Sequence, residues 1–183
     1  MEKVEGDPKK ILSRARGCMT AAGLFFARGA EDISQTIELG LQADMKPVDI
    51  YKRCMGRKSA DNSMLAATSL IIYYLVYSGC SMKKACLNAW QIADQFHDDI
   101  SESISAAILA AERPDKRGKL VAGFITSSDR HAKLSLAIYL NLIDMEDTFK
   151  AHIEEIKKQD SYDTRIIAAA FAGARYGIKA VSA

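Results

Sequence analysis

The chain has 183 residues, 49% of them apolar, with 25 basic against 23 acidic side chains, a net charge of +2 and only three prolines. A chain of that length removes roughly 70% of its unfolded surface from water as one domain, so no disulfide or metal staple is required, and the composition excludes disordered and fibrous classes. Interspersed, nearly balanced charge gives no basic track for nucleic acid, and the longest apolar run, residues 64–77, falls short of the roughly 20 residues that span a membrane.

Residues 1–7 are charged and polar, lack the apolar core of a signal peptide and are expected to lie outside the fold, which places the protein in the cytoplasm. Pro8 suits a first helical turn. Ile11, Leu12, Ala15, Cys18, Met19 and Ala22 then recur at three-and-four spacing, predicting a helix over 8–28 that Gly29 stops. Glu31-Asp32 open a short second helix that breaks near Ala43-Asp44, and Pro47 starts a third to about residue 55. After a polar connection over 56–60, Asp61 or Asn62 caps an apolar helix that runs to Tyr77 and ends at Ser78-Gly79; it reads as a central, buried helix.

Ser81 caps the next helix, with Ala85, Leu87, Ala89, Trp90, Ile92 and Ala93 facing inward and an end near Phe96. Asp98-Asp99 begin another, which stops at Arg113-Pro114 because a residue before proline resists the helical region. Residues 114–118 read as a polar linker and residues 120–125 as helical. Ser127-Ser128, Asp144 and Asp163-Thr164 open the last three helices. The result is an all-α, compact single-domain bundle of about nine helices, with no hairpin, βαβ alternation or fixed repeat. Cys18, Cys54, Cys80 and Cys86 form no Cys-x-x-Cys pair and read as free thiols in a reducing compartment.

Two stretches carry a possible chemistry. The segment from Asp163 to Gly177 presents Ala168, Ala169, Ala172, Gly173 and Tyr176, a small-residue face that admits close backbone approach, and Asp160, Asp163 and Thr164 precede it. Ala60-Asp61-Asn62-Ser63 stands at the start of the apolar helix, and Arg16 to Gly29 forms a Gly-containing opening helix. Together these resemble the ADP-ribosylglycohydrolase family, best over residues 136–180 and 60–64. In that family two aspartate-bearing loops meet and hold two magnesium ions, which suit carboxylate and hydroxyl oxygens and position water for glycosidic hydrolysis.

The resemblance implies Asp61, Asn62, Asp160, Asp163 and Thr164 as magnesium ligands, Asp61 and Asp163 as the catalytic pair, and a small phosphorylated or ADP-ribosyl ligand. Ala60 stands where the family has a ligating hydroxyl, Asn62 replaces a carboxylate, and Lys158-Gln159 replace glycines. Only about 100 residues separate the motifs, fewer than half of the family's usual spacing.

Two other readings accompany this one. Asp61 and Asp163 also serve as helix N-caps, and the Ala-rich helix also suits a non-catalytic scaffold that packs on a partner or a second copy, giving a homo-oligomer. Phe96-His97-Asp98-Asp99-Ile100-Ser101-Glu102 resembles the first aspartate-rich motif of isoprenyl diphosphate synthases, with Asp98 and Glu102 on one helix face and Asp160 in the second motif. His97, His131 and His152 lack paired metal spacing, and no P-loop, dinucleotide fingerprint or nucleophile elbow is present.

Overall fold

The computed structural model describes residues 7–26, 31–56, 62–143 and 148–182. Within these residues the chain forms eleven helices and no strand. In chain order they are α1 (Pro8–Gly23), α2 (Glu31–Gly40), α3 (Pro47–Met55), α4 (Asn62–Tyr73), α5 (Met82–Gln95), α6 (Ile100–Glu112), α7 (Pro114–Thr126), α8 (Arg130–Leu142), α9 (Phe149–Lys157), α10 (Tyr162–Tyr176) and α11 (Ile178–Val181). Two of them exceed the sequence expectation. The expected linker over 114–118 is the first part of α7, with Pro114 at its opening turn, and α11 is a short turn beyond Gly177. The expected stop of α1 at Gly29 lies outside the described residues; the helix itself ends at Gly23.

Two helices form the centre. Every residue from Met64 to Tyr73 of α4 is buried, as the apolar run predicts, and Thr68 and Ser69 hide their hydroxyls by donating to the carbonyls of Met64 and Thr36, each at 2.8 Å. Beyond Tyr73 the helix widens into π-type turns over Tyr74–Ser78, and Gly79 stops it in the left-handed conformation, φ 59°. In α10, residues Ile166 to Ala174 are all buried.

The small-residue face of α10 is filled by α1. At Gly17 a Cβ would meet the Gly173 carbonyl at 2.3 Å, and at Gly173 it would meet the Gly17 carbonyl at 2.1 Å, so these helices touch backbone to backbone. Ser13 Oγ accepts the Ile178 N–H at 3.3 Å, which makes the pair antiparallel. That face is therefore internal to the chain, and the expectation that α10 packs on a partner or a second copy is corrected by this contact. None of the helices is long and apolar enough to cross a membrane. No disulfide joins Cys18, Cys54, Cys80 or Cys86; Cys18, Cys54 and Cys86 are buried, and burial pushes the Cys18 thiol up to about 12.

Candidate functional site

Contacts between helix starts define one pole of the bundle. Ser135 of α8 donates to the Ser103 carbonyl of α6 at 3.0 Å, and Thr164 of α10 lies over the Lys133 carbonyl of α8 at 3.5 Å, so α6, α8 and α10 run parallel. At their starts His131 Nδ1 lies 4.0 Å from an Asp99 oxygen and Arg130 Nε lies 3.4 Å from an Asp163 oxygen. Ser63, in the first turn of α4, lines the same depression as Asp98. Four helices thus begin at this pole, each with its positive dipole end towards it.

Each predicted ligand can be placed against this frame, except Asp61, which lies outside the described residues. Asn62 opens α4 and its side-chain amide donates to the Met55 carbonyl at 3.1 Å. Asp160 is exposed in the turn before α10. Asp163 sits in the first turn of α10, 27% exposed, beside Arg130. Thr164 is fully buried: its N–H is capped by Ser161 Oγ at 3.3 Å and its hydroxyl faces the Lys133 carbonyl. Ser161, rather than Asp163, is therefore the N-cap of α10, and Asp129, accepting from the His131 N–H at 3.0 Å, replaces Ser127-Ser128 as the cap of α8. Among the described residues no three His, Cys, Asp or Glu side chains gather closely enough to hold a metal ion.

The second motif meets a cavity. An open depression of about 750 Å³ is lined by Tyr51, Lys52, Met55, Ser63 and the loop Phe96 to Asp99, a volume within the range of small-molecule sites. Its shape follows from how α5 ends. The His97 N–H bonds the Asp94 carbonyl at 3.0 Å and the Asp98 N–H bonds the Ala93 carbonyl at 3.2 Å, a double closure that puts His97 in the left-handed region at φ 53°. This turns Asp98 inward. It precedes α6, where its carboxylate accepts from the Ile100 N–H at 3.1 Å and from the Tyr51 hydroxyl.

Burial pushes the Asp98 carboxyl up, but the hydrogen bonds from Tyr51, Ile100 and Ser63 outweigh it and hold it below the ordinary carboxylate range. The same contact acts oppositely on Tyr51, whose phenol is raised by burial and by the carboxylate beside it. Phe96 stacks on Tyr51 with ring centres 4.7 Å apart at 15°. The expected sharing of one helix face by Asp98 and Glu102 is not formed, because Asp98 lies ahead of the helix; Glu102 and Asp160 are not among the lining residues.

Tyr51, Ser63 and Phe96 were not read from the sequence as site residues. Their partners lie on other helices, Tyr51 being 47 residues from Asp98, and local spacing carries no trace of such a contact. No protein-family model, no curated protein and no solved structure matches this chain.

Proposed function

We propose that this chain is a reduced ADP-ribosylglycohydrolase-like domain that binds a phosphorylated, ADP-ribosyl-type ligand with magnesium at the pole where α4, α6, α8 and α10 begin. The observation that supports this reading most is the gathering of those four starts: Ser63 and Asp98 line one depression, Asp99 approaches His131, and Arg130 pairs with Asp163. Converging helix N-termini favour phosphate, and carboxylates among them favour a hard cation that bridges the two. Asp61, Asp160 and Asp163 are the donors this reading assigns, with Asn62 and Thr164 adjoining. Hydrolysis of a glycosidic linkage is the chemistry magnesium supplies in such a site.

A second reading, a non-catalytic interaction domain, draws on a specific observation. Arg130 already neutralises Asp163, and Thr164 has spent its hydroxyl on the fold. Thermal unfolding with magnesium chloride and ADP-ribose, separately and together, separates the two. Ligand at about 100 times its dissociation constant adds about 2.7 kcal/mol to stability. The proposal expects that gain with both present, its loss in Asp61→Asn and Asp163→Asn, and release of free ADP-ribose from an ADP-ribosylated peptide. An unchanged midpoint under all conditions assigns the chain to the interaction class.

A further inference from the structure

The depression beside Tyr51 contains a carboxylate, Asp98, that forms no ion pair among the described residues. Asp98 takes two hydrogen bonds, from the Tyr51 hydroxyl and the Ile100 N–H, and both donors are neutral. The ion pairs among the described residues, from Lys83–Glu112 to Lys158–Glu155, do not include it. Neutral donors stabilise the carboxylate without cancelling its charge, so the cavity retains a preference for positive charge. Asp99 adds a second carboxylate, 79% exposed, with His131 Nδ1 4.0 Å from one of its oxygens.

The remaining lining agrees with that preference. Phe96 rests one face on the Tyr51 ring and is still 40% exposed, so an aromatic surface stands open next to the two carboxylates. Aromatic faces attract cations, and more strongly where water is partly excluded. Met55, also 40% exposed, supplies polarisable apolar contact on the same wall. Lys52 is the lining lysine; it is exposed and makes no ion pair among the described residues, so solvent screens it.

We propose that this depression binds a small organic cation, a guanidinium or alkylammonium group, seated on Phe96 and paired with Asp98 and Asp99. A planar guanidinium suits both demands, stacking on the ring while its N–H fork reaches a carboxylate. The proposal is independent of the magnesium-ligand reading, since it uses neither Asp61 nor Asp163.

The test is a titration of the whole chain followed by the amide resonances of Ser63, His97 and Ile100, with methylguanidinium as probe and methylurea as its neutral counterpart. Saturable shifts with methylguanidinium and none with methylurea at equal concentration are expected. Asp98→Asn, which keeps an acceptor oxygen for the Ile100 N–H and turns its amide towards the Tyr51 oxygen, should weaken binding at least tenfold, Phe96→Leu about threefold, and Asp163→Asn not at all. If Asp98→Asn does not fold, Asp99→Asn and Phe96→Leu carry the comparison. Tighter binding of acetyl-Gly-Arg-Gly-amide than of methylguanidinium would identify a peptide side chain as the source, and equal binding a free cation. Equal response to methylurea, full retention in Asp98→Asn, or displacement of the probe by an equal concentration of magnesium would overturn the assignment.

Discussion

His97 holds a left-handed conformation that glycine usually fills at the end of a helix, and it does so on the wall of the depression beside Tyr51. The strain costs roughly 1–2 kcal/mol, so His97→Gly should stabilise the fold by about 0.5–1 kcal/mol after the extra freedom of the unfolded chain is counted. A rise of a few degrees in the melting midpoint checks this; a fall would mean the imidazole makes a contact worth more than the strain. His152 presents the opposite case, a buried ring rather than a strained backbone. It is 2% exposed, its Nε2 has no hydrogen-bond partner among the described residues, and burial, with Arg175 adding, pushes its pKa down to about 4. The unfolded imidazole titrates near 6.5, so the full stability is present above that pH. As pH falls from 6.5 towards 4 the unfolded chain takes up a proton that the folded chain refuses, and roughly 3 kcal/mol is lost. Urea midpoints at pH 7 and pH 4.5 should therefore differ markedly less in His152→Leu than in the parent chain.

Between helices, the decisive contact is the one that tolerates no side chain. Gly17→Ala or Gly173→Ala places a methyl group where the facing carbonyl already stands, and either should cost about 3 kcal/mol as α1 and α10 are forced apart. Gly118→Ala and Gly123→Ala in α7 meet nothing within 4 Å and should each gain up to about 1 kcal/mol, because alanine is the better helix former. Paired chemical-denaturation curves for the four variants check both signs. The same contrast explains what could be read beforehand. α4 and α10 were legible because an unbroken apolar run and an alanine-rich run declare burial on every side. α7 was only half legible: Phe124 is its one buried residue, so Pro114 to Gly118 leave no apolar stripe and read as a linker. Caps were misplaced by one or two residues where several polar candidates stood together, as with Ser161 ahead of Asp163. The candidate site was visible only as motifs. Asp163 marks a helix start in sequence, but its pairing with Arg130 exists only because α8 and α10 run side by side in the same direction.

For the molecule as a whole, burial of α4 and α10 along nearly their full length ties the surrounding helices to one core. Trp90, the only tryptophan, lies on α5, away from the α1–α10 contact. Gly173→Ala should therefore lower the fluorescence midpoint of Trp90 and the circular-dichroism midpoint by the same amount, roughly 6–12 °C for 3 kcal/mol in a chain of this size. Two separate midpoints would show that α5 and α6 unfold independently of the central pair. The antiparallel seating of α1 on α10 also has a meaning during synthesis. Ser13 and Ile178, joined by a hydrogen bond, are 165 residues apart in the chain. At 5–20 residues per second, α1 leaves the ribosome roughly 8–33 s before the helix that covers it. During that interval its glycine-bearing face has no native partner, so α1 is secured only after α10 has emerged, and a chaperone or a nearby nascent chain has that long to find it.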